Sequence, residues 1–526
     1  MPEHLKNLAL RLQPKVLEAQ DGGEEMIEVS APVSTAAFLY ERVRNTLDYQ
    51  EEHLLRRNAI LRILKRYLGA DAPLSSLAGD LLKELVWAKY LPNKTVPIAL
   101  QNELSPVIAK YEPLFRVADQ LGRDRETVFP WLLDVLATEI ETLVAPAESE
   151  EALVAYMYDE MRKRIEWDPK LPATPEERDL RLYIAVHKTL LKSNPGMLRY
   201  RVFTLYYPAW VGAASDQLIQ EIAGSLLTIV NTVEGELHNR LTDRLSRLVA
   251  RRAGIFRVLG DLLLDPGQDV DLNKMLDDPE ALDEAAAKAL AIRTQSFKVR
   301  LRRTVLRAVI FLFITKMFLA LLLELPYDLF LAKHEVPLYP LFVNILFHPA
   351  FLAVIGLTVV LPTKQNREDY LAAIRALSVG ADHPVLHLRV KHEVRGPWQS
   401  IYDVFYALLF IAVYGAIGIG LHSFSFHWLS ISLFLFFLSL VTFFGIRIRS
   451  STREIIASDA RSGLIGTFFD ILLLPIVRAG SWLSNKVSKI NVFIYFFDFI
   501  IEAPLKVAIE FIESWLAFVR DKKDEI

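Results

Sequence analysis

Residues 404–446 read VFYALLFIAVYGAIGIGLHSFSFHWLSISLFLFFLSLVTFFGI and contain no Asp, Glu, Lys or Arg. The short polar segment His422–His427 divides this run into two apolar stretches, Val404–Leu421 and Trp428–Ile446. A helix needs roughly 20 apolar residues, with a range of about 17–25, to cross the hydrocarbon core of a bilayer. Each stretch is long enough, so the sequence predicts two membrane-spanning helices here.

Two further apolar stretches, Val305–Leu325 and Leu338–Leu361, precede this run. Helices buried in a large soluble core are the alternative, but so many stretches of full membrane length close together argue against it. Residues 1–303 are charged throughout and read as successive helices separated by Pro, Gly and Asn. The predicted fold is therefore all-α: a large cytoplasmic multi-helix region, a four-helix transmembrane bundle and a helical tail.

The basic residues near the apolar stretches set the predicted orientation. They are Lys298, Arg300, Arg302 and Arg303 before the first stretch, with Arg307 at its start; Lys364, Arg367, Arg375, Arg389, Lys391 and Arg395 between the second and third; and Arg447, Arg449, Arg453 and Arg461 after the fourth. All of these segments fall on one side of a four-span bundle. The positive-inside rule then predicts a multi-pass protein of the plasma or inner membrane with both termini in the cytoplasm.

The tail after the fourth stretch, residues 448–526, is predicted to form amphipathic helices that lie at the interface or re-enter the bundle. Gly463–Val477 is apolar but short. Asn491–Val519 carries charges along one helical face, namely Asp498, Glu502, Lys506, Glu510 and Glu513. Two more true spans, six in total, are the alternative, but their connecting loop would be basic on the outer side.

The remaining domain boundaries follow from composition. Residues 1–212 are predicted to be a soluble helical domain, in which the segment Met197–Trp210 reads as a strand, a buried connector or a lipid-touching patch. Residues 213–303 are predicted to hold a long amphipathic helix from Ser215 to about Leu264, an acidic linker and a juxtamembrane helix. The transmembrane bundle is assigned to 304–447 and the tail to 448–526.

Two groups of arginines are predicted to contact anionic lipid headgroups. They are Arg240, Arg244, Arg247 and Arg251 on the amphipathic helix, and Arg300, Arg302 and Arg303 beside the first apolar stretch. A solvated helix face is the alternative for the first group. A nucleic-acid partner is not favoured, because 60 Lys and Arg are balanced by 63 Asp and Glu, giving a net charge of −3.

Lys316 lies near the middle of the first apolar stretch. An intramembrane lysine costs about 2.5–3.5 kcal/mol on insertion scales and usually indicates function or a charge partner. Glu324 and the tail acids Asp498 and Glu502 are the candidate partners. The alternative to a functional role is a structural ion pair, or a lysine that snorkels towards the membrane surface.

Small residues recur every four positions in the third apolar stretch, at Ala412, Ala416 and Gly420. Small residues allow close approach of membrane helices, so this stripe predicts helix packing inside the bundle or between subunits of a homo-oligomer.

Metal and cofactor signals are weak. The segment Asp269–Glu280 has the ligand spacing of a calcium loop, but Lys274 stands where the sharp turn requires Gly. His383, His387 and His392 cluster, but the alternation of Leu386–Val390 indicates a short strand that separates them. The chain has no cysteine and no phosphate-binding, dinucleotide, kinase or hydrolase motif. We therefore predict no cofactor, no metal and no catalytic residue.

These features support three functional hypotheses. The first is a non-enzymatic scaffold or adaptor, in which the helical region binds a cytoplasmic protein and the spans hold it at the membrane. The second is a channel or transporter gated by the soluble region, with Lys316 on or near the path. The third is an enzyme that acts on lipids at the membrane interface.

Overall fold

A computed structural model describes residues 3–12, 25–29, 41, 54–69, 77–264, 275, 278–327, 329, 338–359, 364–379, 385–389, 397–451, 464–487 and 515. Within these residues nearly every element is a helix, and the strands are two three-residue segments. The predicted all-α fold is therefore confirmed.

The chain forms two compact units. The helical unit contains the described residues of Asn7–Arg164 and Pro172–Ala250, and the span unit contains Ile165–Leu171 and the described residues of Arg251–Ile490, with the first residues of the chain. The helices that contribute to the helical unit are α1 (Glu3–Leu12), α2 (Leu55–Gly69), α3 (Leu77–Trp87), α4 (Leu100–Ala109), α5 (Glu112–Gln120), α6 (Arg125–Val144), α7 (Glu148–Arg164), α8 (Pro175–Leu190), α9 (Pro195–Tyr206), α10 (Asp216–Gly224), α11 (Leu226–Leu237) and the start of α12 (Arg240–Leu264).

Helix α6 forms the centre of the helical unit. Its sequence is apolar on nearly every face, and consecutive residues such as Trp131, Leu132 and Leu133 are all buried. A helix that is apolar all round must be enclosed by other elements. Helices α2, α4, α5 and α9 pack around it.

Local signals in the sequence fix the starts of several helices. Thr174 and Glu177 form a reciprocal capping box before α8, with Thr174 Oγ1 accepting from the Glu177 backbone N–H at 3.3 Å and Pro175 at the first helical position. The side chain of Asn194 accepts from the Met197 N–H at 2.9 Å and begins α9 in the same way.

The predicted single helix from Ser215 to Leu264 is wrong, because the structure divides it into α10, α11 and α12. Ser215 does cap the first of them, as its hydroxyl accepts from the Leu218 N–H at 3.3 Å. The second break falls at Asn239, whose side chain accepts from the Leu241 N–H at 2.9 Å. Asn competes locally with the helical ladder and starts a new helix, although the apolar spacing continues across it.

The aromatic segment Met197–Trp210 forms the rest of α9 and a 3₁₀ turn at Pro208–Trp210, so it is not a strand. Trp210 is fully buried, whereas Leu205, Tyr206 and Val211 are 50%, 46% and 56% exposed. The segment is therefore both a buried connector and an exposed apolar edge.

A buried charge cluster ties this turn to the centre of the helical unit. The Lys110 ammonium donates to Glu139 Oε1 at 2.5 Å and to the carbonyls of Trp210 and Gly212 at 2.5 and 2.9 Å. Tyr111 Oη donates to Glu139 Oε2 at 2.5 Å. Burial lowers the pKa of Lys110 and raises the pKa of Glu139, and the attraction between the two groups opposes both shifts.

A second ionic chain joins four helices. Asp134 on α6 lies between Arg57 on α2 and Arg199 on α9, and Arg199 Nε also donates to Glu234 on α11 at 2.5 Å. Arg57 is only 3% exposed, and its guanidinium also donates to Thr138 Oγ1 at 3.1 Å. The core of this unit therefore depends on paired charges as well as on apolar contacts.

The span unit contains the remaining elements. They are β1 (Ile165–Trp167), the end of α12, α13 (Pro279–Leu319) with a π-helical turn at Ala320–Glu324, α14 (Leu338–Leu357), α15 (Lys364–Val379), β2 (Leu386–Leu388), α16 (Pro397–Ser423), α17 (Trp428–Ser451) and α18 (Leu464–Val487). Four helices among the described residues are long and apolar enough to cross a membrane: Pro279–Glu324, Tyr339–Leu357, Ser400–Ser423 and Trp428–Arg449. They coincide with the four predicted spans.

Helix α13 continues through the predicted boundary at residue 303. It begins at Asp278, whose side chain accepts from the Glu280 N–H at 3.0 Å, and its 41 residues extend for about 60 Å. The hydrocarbon core is only about 30 Å thick, so the N-terminal part of α13 lies outside the apolar span.

The segment between the second and third candidate spans packs on this extension of α13. Arg375 of α15 pairs with Asp283 at 2.8 Å. The short strand expected within Leu386–Val390 is present at Leu386–Leu388, and it pairs in parallel with β1, placing His387 beside Glu166. The N-terminal extension of the first span and the loop after the second therefore lie at the same end of the bundle.

Glycines allow close approach within the bundle. A Cβ added to Gly356 on α14 would lie 2.5 Å from Val305 of α13, and one added to Gly445 on α17 would lie 2.7 Å from Ile355. Hydrogen at these positions lets the backbones approach, as expected where lipid provides no hydrophobic driving force.

The small-residue stripe of α16 is not one of these close contacts. Ala412 and Ala416 are exposed in the single chain, and Gly420 has no atom within 4 Å of an added Cβ. The prediction of packing between subunits at this stripe stays a prediction.

Helix α18, the described part of the predicted tail, packs along α17 and α16. Ile476 is buried in a cluster with Val413 and Phe434, and a Cβ on Gly480 would collide with the backbone carbonyl of Ser439. Ser439 lies in the middle of α17, so this contact favours a helix that enters the bundle over one that lies only on its surface.

We expect Gly480→Ala to destabilise the bundle by about 1–3 kcal/mol, because the added methyl group meets a rigid backbone carbonyl. Thermal unfolding of the purified protein in lipid nanodiscs measures the change. Gly415→Ala is the matched control, since an added Cβ there meets no atom within 4 Å. Equal unfolding temperatures for the two variants would contradict the close contact.

Candidate functional site

The polar centre of the bundle is built around Lys316 of α13, which is 2% exposed. Its Nζ donates to Asn344 Oδ1 at 2.6 Å and lies 4.4 Å from the centroid of the Phe437 ring. Asn344 comes from α14 and Phe437 from α17. The ammonium therefore has an amide acceptor and an aromatic face, and it joins three helices of the bundle.

The amide of Asn344 joins Lys316 to Glu324. Asn344 is fully buried, and its Nδ2 donates to Glu324 Oε1 at 2.5 Å. The amide presents its acceptor to the cation and its donor to the carboxylate, which is the orientation that both charges require. Lys316 and Glu324, which the sequence proposes as a pair, are thus connected through one side chain rather than directly.

The π-helical turn at Ala320–Glu324 helps to make this connection. Eight residues of regular α-helix would rotate Glu324 by about 80° beyond two full turns from Lys316. A π turn contains more residues per turn than an α-helix, so it reduces this offset and moves Glu324 towards the face of Lys316.

On its other side, Glu324 is connected to the start of α17. Ser430 Oγ donates to Glu324 Oε2 at 3.1 Å and also lies 3.1 Å from His427 Nε2. The backbone N–H of Ser430 donates to His427 Nδ1 at 3.3 Å, so the imidazole caps α17. Glu324 and Ser430 are each 2% exposed, whereas His427 is half-buried.

Aromatic side chains surround His427, which lies at the outer end of this series of hydrogen bonds. The rings of Tyr327 and His427 lie 4.8 Å apart, and Trp428 Nε1 donates to Tyr327 Oη at 2.7 Å. Tyr and Trp with one polar end are typical of the membrane–water boundary.

His348 adds a second buried imidazole near Asn344. Its Nε2 lies 3.0 Å from the Phe434 carbonyl and its Nδ1 3.3 Å from the Asn344 carbonyl. A neutral imidazole donates from one nitrogen only, so it satisfies one of these two acceptors at a time. His348 thereby holds α14 against α17 beside the polar centre.

The sequence predicts Lys316 and Glu324 as a buried charge pair but gives no prediction for Ser430, His427 or Phe437. Ser430 follows Trp428 within an apolar stretch and carries no charge. The available signal was a histidine and a serine three residues apart at the start of a span, which is the spacing of a helix cap.

Other predicted site residues lie elsewhere or outside the described residues. Asp498 and Glu502, His383 and His392, and eight of the twelve residues of Asp269–Glu280 are outside them. His387 pairs with Glu166 through Nδ1 and Oε2 at 2.8 Å. In the part of the chain that the structure describes, no group of three His, Cys, Asp or Glu residues could hold a metal ion.

The predicted lipid-contacting arginines lie at the surface of their helices. Arg240, Arg247 and Arg251 of α12 are exposed and Arg244 is half-buried. Arg300, Arg302 and Arg303 are exposed on α13 just before its apolar part. Contact with headgroups at either group stays a prediction.

Comparison of the chain with protein-family models, curated proteins and solved structures finds no match. The class is therefore defined by the molecule itself: an all-helical protein with four helices, among its described residues, that could cross a membrane.

Proposed function

We propose that the protein is a membrane-anchored scaffold, in which the span unit is an anchor and the helical unit binds a protein partner. One observation carries this proposal. The deepest charge, Lys316, is matched by Glu324 through Asn344, and the three side chains are 2%, 2% and 0% exposed. Charges that neutralise each other inside a bundle hold its helices together.

The orientation fits this role. The exposed arginines at 300, 302 and 303 precede the apolar part of α13, and Lys364 and Arg367 of α15 belong to the same end of the bundle. We infer that this end faces the cytoplasm and that its arginines contact anionic headgroups. Both termini then lie in the cytoplasm.

The helical unit offers an edge for a partner. Leu205, Tyr206 and Val211 are exposed apolar residues on either side of buried Trp210, and Lys110 holds the backbone of this turn through two carbonyls. A rigid apolar edge loses little conformational entropy on binding another protein.

A channel or transporter is the second candidate, and the observation that favours it is the position of Lys316 near the middle of the apolar stretch Val305–Leu325. In that case the ammonium would contact the transported species, and its removal would abolish flux. In the scaffold, Lys316 only stabilises the anchor.

The experiment uses the full-length protein with both polar partners exchanged, Lys316→Met with Glu324→Met, so that no charge is left unpaired. We expect Lys316→Met alone to destabilise the bundle by about 3–5 kcal/mol, and we expect the double variant to recover only part of this loss, because the buried Asn344 amide then lacks both charged partners. A photo-crosslinking residue at position 211 tests binding in cells, and ion flux is measured in proteoliposomes.

The scaffold predicts one defined crosslinked protein in both the wild type and the double variant, and flux equal to that of protein-free vesicles. Flux that the wild type supports and the double variant loses would establish the transporter instead. Absence of a defined adduct at 211, with a second probe at 205 also negative, would contradict partner binding at this edge.

A further inference from the structure

A continuous hydrogen-bonded chain leads from the loop before α17 into the bundle. It runs from His427 Nε2 to Ser430 Oγ at 3.1 Å, and from Ser430 Oγ to Glu324 Oε2 at 3.1 Å. We propose that Glu324 is a proton-binding site of the bundle and that His427 and Ser430 deliver its proton from one face of the membrane. This inference goes beyond the scaffold role and does not depend on it.

The contacts of His427 give the chain a direction. Because the Ser430 N–H donates to Nδ1 at 3.3 Å, the neutral imidazole carries its hydrogen on Nε2. Nε2 therefore donates to the Ser430 hydroxyl, and that hydroxyl donates to the Glu324 carboxylate. Both donors point towards the carboxylate, as proton delivery requires.

The transfer balances without any further reactant. A solvent proton binds His427 Nδ1 as the long bond from the Ser430 N–H opens, which gives the imidazolium. Nε2–H then passes its proton to Ser430 Oγ, and the original hydroxyl proton passes to Glu324 Oε2. His427 is left neutral with its hydrogen on Nδ1, Ser430 is unchanged, and Glu324 has become a carboxylic acid.

Within the described residues, the amide of Asn344 interrupts the hydrogen-bonded chain beyond Glu324, so this chain reaches the site from one side. Its Nδ2 donates to Glu324 and its Oδ1 accepts from Lys316, and an amide does not exchange a proton between these two atoms as a hydroxyl or imidazole does. A proton on Glu324 therefore stops there. This agrees with a bundle that binds protons but does not conduct them.

Proton binding at Glu324 changes the charge balance among the titratable groups that surround it. Lys316 precedes Glu324 on the same helix and is joined to it through Asn344. His427 and Ser430 come from the start of α17, and the Tyr327 ring lies beside His427. His348 of α14 approaches the Asn344 carbonyl. Neutralising Glu324 leaves Lys316 without its counter-charge. Proton binding should therefore loosen the junction of α13, α14 and α17.

The equilibrium test is infrared difference spectroscopy on the full-length protein in lipid vesicles during a stepwise pH titration. We expect a carboxylic C=O band to grow as pH falls, and we expect Glu324→Gln to remove it. A titration in which Glu324→Gln removes no band at any pH overturns the proposal.

The kinetic test follows the same band after a pH jump. We expect Ser430→Ala to slow its appearance by about 100-fold, the lower end of the effect of a positioned proton-transfer group, while the final amplitude is retained. Ser432→Ala is the matched control, because Ser432 is an exposed serine of the same helix that donates only to the Trp428 carbonyl at 2.8 Å.

A third test asks from which face of the membrane the proton reaches Glu324. In vesicles of uniform orientation, a pH jump on the His427 face should produce the fast phase and a jump on the opposite face should not, and His427→Gln should slow the phase as Ser430→Ala does. Equal rates in Ser430→Ala and Ser432→Ala, or a fast response to both faces, overturn the delivery route. Neither result bears on crosslinking at position 211, so failure here is distinct from failure of the scaffold.

Discussion

Glu139→Leu is expected to destabilise the helical unit by about 3–5 kcal/mol, which is the usual effect of removing one partner of a buried ion pair. The side chains of Lys110 and Glu139 are only 2% and 3% exposed, so the ammonium cannot reach water when its carboxylate is removed. Tyr111 Oη and Trp210 Nε1, which lie 2.5 and 3.2 Å from Glu139 Oε2, lose the same acceptor.

Hydrogen exchange of the α4–α6 amides in the full-length protein measures this loss. Glu141→Leu is the matched control on the same helix, because Glu141 pairs with Arg56 at 2.8 Å where the side chains are 12% and 31% exposed. We expect the control to change stability by about 1 kcal/mol or less. Adding Lys110→Met to Glu139→Leu should restore part of the stability, since no charge then remains buried. Equal effects of the two glutamate variants would contradict the assignment.

We expect Asp134→Ala to destabilise the helical unit by about 3–5 kcal/mol as well, because it leaves two arginines without their shared carboxylate. Arg57 is 3% exposed and joins α2 to α6, and Arg199 continues the chain to Glu234. A Cβ on Gly196 would collide with the Arg57 guanidinium, so the arginine is enclosed and has no room to turn towards solvent.

Denaturant unfolding and hydrogen exchange of α2 and α9 test this prediction. The control is Asp119→Ala, since Asp119 pairs with Arg125 at 2.7 Å where both side chains are about half exposed, at 52% and 51%. Exchange should accelerate in α2 and α9 together for Asp134→Ala and in neither helix for Asp119→Ala. Acceleration confined to α6 would show that Asp134 does not join these helices.

The buried groups differ in how visible they are in the sequence. Lys316 stands out because a lysine interrupts an apolar stretch, whereas Lys110 directly follows α4 and Glu139 lies in α6, 29 residues apart. Nothing in local spacing distinguishes them from the solvated charges around them. Only the packing of α4, α6 and the turn at Pro208–Trp210 brings them together and excludes water.

The sequence by itself determined the helical class, the four candidate spans and a short strand within Leu386–Val390. These features depend on patterns within about 20 residues: the length of apolar helix that crosses a hydrocarbon core of fixed thickness, and the alternation of strand side chains. The structure reproduces each of them.

Tertiary structure alone decided the π turn that moves Glu324 towards Lys316, and the placement of Asn344 and Ser430 on either side of that carboxylate. In each case two arrangements are locally acceptable, and the choice depends on which one satisfies buried polar groups contributed by distant parts of the chain.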